Sequence, residues 1–207
     1  MSMLNLKALA SATLASDPYD HVLVPQFITD GPRTSVNRDF PEVPGPGSYN
    51  LDHLSFGPGF RALIDELRGP DMEDVIGHKF GIDLAGRPTT LTIRGHCRAT
   101  DGKIHRDSAG KLVTVLIYMN DDWDADGGRL RLLRNDYDIE DYAVEVPPQE
   151  GTLLAFRCAD NAWHGHTSYE GRRRSIQLNW VADDRHRKIS LWRHRLSAFM
   201  KGLKRGH

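Results

Sequence analysis

Two histidines and one aspartate in the second half of the chain have the types and the spacing of metal ligands. His105 and Asp107 stand two residues apart, so on a strand both side chains would emerge on the same face. His164 lies well downstream, at the end of another strand-like run. An imidazole and a carboxylate from one strand and an imidazole from another could therefore bind one metal ion together.

Two imidazoles and one carboxylate form the facial triad that is typical of non-haem Fe(II) sites. The three ligands occupy one side of an octahedron, and the open positions can take a chelating cosubstrate and O2. His-x-Asp alone is a weak motif, because a chain with 10 histidines contains some by chance. His166 has the same parity as His164, so strand geometry does not separate these two histidines.

A later strand carries a polar row that strengthens the prediction of a pocket. In residues 171–180, alternation with a period of two separates a polar face from a more apolar one. The polar face carries Arg173, Ser175, Gln177 and Asn179, and the opposite face carries Arg174, Ile176, Leu178 and Trp180. We therefore expect Arg173 to point into a wet pocket, where a guanidinium can bind a carboxylate through two hydrogen bonds.

The elements that must position these residues change along the chain. Up to about Leu84 the apolar residues recur with a helical period, most clearly in Phe60, Leu63, Ile64, Leu67 and in Met72, Val75, Ile76, Phe80. His21–Pro25 is predicted as a short edge strand, because Pro25 cannot donate to a sheet. Strand-like runs follow at Thr90–Ile93, Leu112–Met119, Gly128–Leu133, Ala143–Val146, Thr152–Phe156 and Ser175–Val181. Helices that precede the strands favour a mainly β fold, a sandwich or jelly roll with flanking helices, over a doubly wound sheet.

Composition narrows the class of protein. The 207 residues carry a formal net charge of −1, and no run of apolar residues is long enough for a spanning helix. Two cysteines, Cys97 and Cys158, are too few for a disulfide scaffold or a cysteine-based zinc module. We expect one domain in a reducing compartment, the cytoplasm, with no transmembrane segment and no clear nucleic-acid motif.

The ordered set of motifs resembles the Fe(II)- and 2-oxoglutarate-dependent dioxygenases, in their prolyl-4-hydroxylase-like branch. Residues 104–107 are similar to the His-x-Asp strand of that family, and residues 114–132 to its next strand with a Gly-Gly-x-Leu continuation. Residues 151–164 resemble the part that delivers the distal histidine, and residues 171–180 the strand that bears the arginine. The resemblance spans residues 104–180.

The resemblance implies a double-stranded β-helix core of the jelly-roll or cupin-like kind, with N-terminal helices packed on one sheet. It implies His105, Asp107 and His164 as the catalytic iron ligands, and the spacing to Arg173 also favours His164 over His166.

The resemblance also assigns the cosubstrate pocket. Arg173 would hold the distal carboxylate of 2-oxoglutarate, with Tyr118 and Thr114 lining the pocket from a shared strand face. Arg94 could reach the substrate or cosubstrate, or could equally be a surface arginine.

The implied activity is hydroxylation of a C–H bond of a prolyl-like or other small substrate. The enzyme would bind Fe(II), consume 2-oxoglutarate and O2, and use ascorbate as an optional reductant. Succinate and CO2 would be released, and the substrate could be a small molecule or a peptidyl residue. Two alternatives stay open: a cupin-type metalloenzyme that does not use 2-oxoglutarate, and a non-catalytic binding module.

The predicted organisation is a single dioxygenase domain over residues 1–207. Residues 1–88 would form a helical support, residues 89–183 the jelly-roll catalytic core, and residues 184–207 a basic C-terminal helix that could contact an anionic partner. We expect the loops Pro41–Leu54, Arg98–Lys103 and Arg134–Tyr142 to shape specificity, while the sequence leaves the oligomeric state open.

Overall fold

The computed structural model describes residues 2–120 and 122–189. The predicted basic C-terminal helix lies mostly outside the described residues, and only its first part, 184–189, is seen as helical. None of the helices in the described ranges is long and apolar enough to cross a membrane.

Two antiparallel sheets form the body of the described chain. Their strands are β1 (His21–Val24), β2 (Tyr49–Asn50), β3 (Thr89–Cys97), β4 (Lys111–Tyr118), β5 (Leu130–Leu133), β6 (Tyr142–Val146), β7 (Leu153–Arg157), β8 (His164–Gly165) and β9 (Gly171–Val181). The larger sheet has the order β1-β7-β4-β9-β3-β2, and the smaller one has the order β6-β5-β8. Strands that are distant in sequence thus pair side by side, as they do in a jelly roll.

Helices precede most of these strands. They are α1 (Leu6–Ser11), α2 (Asp30–Arg38), α3 (Pro58–Leu67) and α4 (Pro70–Phe80), with a short 3-10 turn at Leu51–His53. Two of them, α3 and α4, contain the apolar stripes that predict helices. Both α3 and α4 start with proline after a glycine, because the first helical residues need no N–H partner. The α4 helix ends at Gly81, whose φ of 61° is in the left-handed region that favours glycine.

The helices pack on one face of the larger sheet. The apolar stripes of α3 and α4 share a core with alternate residues of β3, β4, β7 and β9, among them Ile93, Val115, Ala155 and Leu178. The other face of that sheet contributes to a smaller apolar cluster with the second sheet, which includes Tyr118, Leu132 and Phe156. The predicted fold class, a mainly β jelly-roll core with N-terminal helices on one sheet, is confirmed.

Several local predictions need correction. Each strand-like run contains a strand, but β3 extends to Cys97 and β9 begins at Gly171, so both are longer than predicted. The His-x-Asp segment is not a strand: His105 forms an isolated bridge, and Asp107 lies in the loop before β4. The short elements β2, β8 and α2 were not predicted, because two residues or a polar helix carry little hydrophobic periodicity.

We predict that Phe60→Ala lowers the free energy of unfolding by about 3–5 kcal/mol, because it leaves a cavity in the core. Phe60 is fully buried and makes edge-on ring contacts with Phe40 and Phe56. Urea unfolding followed by circular dichroism measures the loss. The exposed Asp65→Ala on the same helix is the control, and an equal loss in both variants would contradict the predicted packing.

Candidate active site

His105 and His164 are joined through their backbones. The N–H of His105 donates to the carbonyl of His164 at 3.0 Å, and the N–H of His164 donates back to the carbonyl of His105 at 2.9 Å. This antiparallel bridge holds the two imidazole rings with their centroids 4.4 Å apart. Two predicted ligands that are 59 positions apart in the sequence therefore lie side by side.

Both rings present the same nitrogen to the pocket. The Nδ1 of His105 lies 2.8 Å from the carbonyl of Lys103, and the Nδ1 of His164 lies 2.9 Å from the carbonyl of Ala162. A carbonyl only accepts, so each Nδ1 carries the proton and each Nε2 keeps a lone pair. Metal-ligating histidines are commonly oriented by such a contact.

Asp107 supplies an ionised carboxylate next to these rings. Its Oδ1 accepts from the Lys111 ammonium at 2.7 Å, and its Oδ2 accepts from the Thr114 hydroxyl. Burial raises the pKa of Asp107, but the Lys111 charge and the hydrogen bonds from Lys111 and Thr114 outweigh it and bring the pKa to about 2. The group is therefore charged at neutral pH, as a metal ligand must be.

His164 and His166 are both buried and both uncharged at neutral pH. Burial lowers the pKa of each to about 4, since a buried imidazolium loses its hydration. The two histidines differ in position: His164 lies beside His105, whereas the Nδ1 of His166 is held by the carbonyl of Thr167 and its ring is near Arg173. The backbone bridge thus favours His164 as the ligand, which parity alone could not do.

Arg173 lies deep in the same pocket, with 5% of its surface exposed. Its Nε donates to the carbonyl of Gly128 at 2.8 Å, and its guanidinium carbon lies 5.3 Å from the centroid of the Tyr118 ring. No carboxylate of the described residues forms an ion pair with Arg173. Within the same residues, the buried Tyr118 hydroxyl has no hydrogen-bond partner either. A buried cation beside an unsatisfied hydroxyl is costly unless an anion binds there.

One cavity of about 240 Å³ joins all six predicted site residues. It is lined by His105, Asp107, Thr114, Tyr118, His164 and Arg173, together with Ser48, Arg94, Gly102, Lys111, Leu116, Leu130, Phe156, Gly165, His166, Ser175 and Gln177. Ser175 and Gln177 share the pocket face of β9 with Arg173, as the alternation predicts, and Ile176, Leu178 and Trp180 lie in the core on the other side.

The two predicted cosubstrate residues of β4 lie at different ends of this cavity. Thr114 contacts the carboxylate of Asp107 and the amide oxygen of Asn179 at 2.9 Å, so it belongs to the ligand end. Tyr118 belongs to the Arg173 end. Cys158 also lies at the ligand end, with its Sγ 3.3 Å from the Thr114 hydroxyl, and burial raises the pKa of its thiol to about 12.

Sequence reasoning missed one charged residue of the pocket and left another open. Strict alternation along β4 puts Lys111 on the core face with Val113, but a register shift between these two residues turns it to the pocket. The one signal in the sequence was the charge itself, because strict alternation puts a lysine among the apolar residues of the core face. Arg94 also lines the pocket and pairs with Asp101 at 3.0 Å.

The loops that were expected to shape specificity contribute unequally. Ser48 from Pro41–Leu54 and Gly102 from Arg98–Lys103 line the cavity. Within the described residues, the loop Arg134–Tyr142 provides no lining residue of the cavity, so its predicted role is not supported by the cavity wall.

Comparisons with known proteins place this site in a family. Residues 95–182 match the family model of the 2OG-Fe(II) oxygenase superfamily. This part of the chain belongs to the 2OG-Fe(II) oxygenase superfamily. The matched segment contains His105, Asp107, His164 and Arg173, and the family uses Fe(II), 2-oxoglutarate and O2. A search of curated proteins found no match to the sequence.

Solved structures of 2OG-Fe(II) oxygenases and prolyl hydroxylases share the fold. A prolyl-4-hydroxylase from Pseudomonas putida is similar with a TM-score of 0.53 and 17% identity, over 85% of this chain and 90% of that one. A prolyl 4-hydroxylase from Phytophthora capsici is similar with a TM-score of 0.54 and 14% identity, over 88% of this chain and 67% of that one. An oxidoreductase of the 2OG-Fe(II) oxygenase family from Burkholderia pseudomallei is similar with a TM-score of 0.52 and 15% identity, over 78% of this chain and 84% of that one. At these identities the likeness is one of fold.

The donor groups fit the Fe(II) that this superfamily implies. Two Nε2 lone pairs and one ionised carboxylate are the chemistry of the facial triad. Asp107, however, is committed to Lys111, and within residues 2–120 and 122–189 no three His, Cys, Asp or Glu side chains are grouped closely enough to hold an ion. Metal binding to this 2OG-Fe(II) oxygenase fold would therefore require local adjustment at Asp107.

We predict that the metal-free protein loses stability as the pH falls from about 6.5 to about 4. Unfolded histidines bind protons near pH 6.5, whereas His164 and His166 do so near pH 4 in the fold, so acid favours the unfolded chain. Each contributes roughly 3 kcal/mol, and Asp107 adds a further loss only below about pH 4. Urea unfolding in EDTA at several pH values measures this slope.

His166→Gln should flatten that pH dependence by about half, because one of the two buried imidazoles is removed. His78→Gln, at an exposed position of α4, should leave the slope unchanged. A free energy of unfolding that stays constant between pH 7 and pH 4 would contradict the buried, neutral state of these rings.

Proposed function

We propose that the protein is an Fe(II)- and 2-oxoglutarate-dependent dioxygenase that hydroxylates a C–H bond of a prolyl-like or other small substrate. The observation that carries the proposal is the buried Arg173, which has no carboxylate partner among the described residues and shares one cavity with His105, His164 and Asp107. An anion-binding end and a metal-binding end in one cavity are what a chelating dicarboxylate needs.

At the metal end, His105 and His164 would bind through Nε2 and Asp107 through one carboxylate oxygen. The bound Fe(II) would supply the activation of O2, with one oxygen atom entering the substrate as hydroxyl and the other entering succinate as 2-oxoglutarate loses CO2. The backbone bridge between the histidines orients both rings before any metal arrives. Thr114 holds Asp107, which limits the rotation of the carboxylate.

At the other end, Arg173 would bind the distal carboxylate of 2-oxoglutarate. Its Nε is already used by the Gly128 carbonyl, which fixes the guanidinium plane and leaves its terminal nitrogens for the ligand. The Tyr118 hydroxyl, buried without a partner among the described residues, would donate to the same carboxylate. Binding there would satisfy both groups at once, which is the physical reason to expect selectivity for a dicarboxylate.

The substrate would enter past the loop residues at the cavity wall, Ser48 and Arg94. Two proteins of similar fold are named prolyl 4-hydroxylases, which supports a prolyl-like target, either free or peptidyl. We place the whole activity in one domain over residues 1–207. The free thiols of Cys97 and Cys158 support a reducing location such as the cytoplasm.

The two alternatives explain fewer of the observations. A cupin-type metalloenzyme without 2-oxoglutarate has no use for a buried arginine that lacks a carboxylate partner among the described residues, and a binding module has no use for two pre-oriented imidazoles. Succinate release that depends on a substrate separates the proposal from the first, and stoichiometric iron separates it from the second. Anaerobic addition of Fe(II) and 2-oxoglutarate should also produce a metal-to-ligand absorption band.

We predict that Arg173→Ala raises the KM for 2-oxoglutarate by about 10- to 100-fold, because a charge-assisted hydrogen-bonded pair is lost. Fe(II) affinity, measured by titration without 2-oxoglutarate, should stay the same. Arg172→Ala is the matched control, since Arg172 is the exposed neighbour on the same strand. Unchanged 2-oxoglutarate affinity in Arg173→Ala would overturn the assignment.

We predict that His105→Ala abolishes stoichiometric Fe(II) binding and succinate formation, because only two protein ligands remain. Equilibrium dialysis followed by metal analysis measures the first effect, and a coupled succinate assay the second. His96→Ala serves as the control, because His96 is an exposed histidine of β3 outside the cavity. Full iron content in His105→Ala would favour a binding module.

A further inference from the structure

The ion pair between Lys111 and Asp107 is buried inside the candidate active site. The Nζ of Lys111 lies 2.7 Å from Oδ1 of Asp107, and the two side chains are only 9% and 10% exposed. Exposed ion pairs contribute little to the stability of a protein. In a buried pair each charge neutralises the other, and removing one partner leaves a buried charge that is strongly destabilising. Lys111 is therefore part of the electrostatics of the ligand end.

The position of Lys111 depends on an irregularity of β4. Lys111 pairs with Val181 of β9 while Val113 pairs with Trp180, so one residue of β4 is left over between the two pairs. Such a bulge re-aims side chains. Here it brings a lysine, instead of an apolar core residue, onto the carboxylate that the proposed function assigns to the metal.

The pair also lines two cavities. One is the 240 Å³ cavity of the candidate site, and the other is a cavity of about 300 Å³ that Asp107 and Lys111 line together with Cys158 and Asp160. The second cavity gives the lysine room to withdraw. It also offers another carboxylate, since Asp160 is exposed and pairs there with Arg106.

We propose that Lys111 is a built-in competitor for the metal: its ammonium neutralises Asp107 in the metal-free protein and withdraws toward the second cavity when a divalent cation binds. The inference rests on the proposed function, because it takes Asp107 as a ligand. Two cations at one buried carboxylate repel each other, which favours the loss of the ion pair when the metal binds. Lys111 thus lowers the affinity for metal and stabilises the metal-free fold.

The test is Lys111→Met, which keeps the length of the side chain and removes its charge. In the EDTA-stripped full-length protein, calorimetric titration with Co(II) should give a Kd about tenfold or more below that of the wild type. Lys111→Arg should restore an affinity near the wild-type value. Arg106→Met, which removes a cation from the loop before β4 but one that is paired with Asp160, should change the Kd by less than about twofold.

Thermal unfolding provides a second readout. Metal-free Lys111→Met should unfold at a lower temperature than the metal-free wild type, because Asp107 is left without its counter-charge. Saturating Co(II) should close that gap, since the metal then neutralises the same carboxylate. If Lys111→Met does not fold, Lys111→Gln carries the same two expectations.

The possible failures are distinguishable. A wild-type protein that binds no Co(II) would overturn the proposed function and this inference together. Co(II) binding by the wild type that is lost in His105→Ala, but is equal or weaker in Lys111→Met, would overturn the inference alone. In that case Lys111 would hold the carboxylate for the metal instead of competing with it.

Discussion

The main-chain bridge between His105 and His164 is the interaction on which the candidate site depends. The loop that carries His105 leads into β4 of the larger sheet, and β8, with His164, belongs to the smaller one. Two reciprocal hydrogen bonds fasten that loop to the smaller sheet and set the distance between the rings. The jelly roll matters here because it brings its two sheets close enough for this contact, while the helices support the larger sheet from behind.

Charge is distributed along the cavity in a way that separates its tasks. The ligand end holds an anion, Asp107, with its counter-cation, while the far end holds a cation, Arg173, that lacks a carboxylate partner among the described residues. At the ligand end the negative charge is already neutralised by a cation of the protein, so a metal ion has to compete with that cation. At the far end the positive charge is not neutralised by a carboxylate of the described residues, so this end is suited to an anionic ligand. A dicarboxylate that chelates a metal would meet both requirements.

The sequence was most informative where backbone geometry is regular. Alternation placed Arg173 in the cavity, because β9 is paired on both sides over most of its length, and helical stripes found α3 and α4 because their apolar residues face one core. Alternation failed at Lys111, where a bulge reverses the face, and the strand assumed for His105 and Asp107 is a loop held by tertiary contacts. Parity along a strand could not separate His164 from His166; the family resemblance and the spacing to Arg173 favour His164, and the backbone pairing with His105 supports the same choice.

The thiol of Cys158 sits close to the carboxylate and the threonine of the ligand end, with a pKa near 12. A cysteine attacks peroxides and alkylating reagents mainly as the thiolate, and at neutral pH this group is almost entirely protonated. A centre that handles dioxygen would therefore have a chemically quiet neighbour, whose low reactivity follows from desolvation and from the nearby negative charge of Asp107.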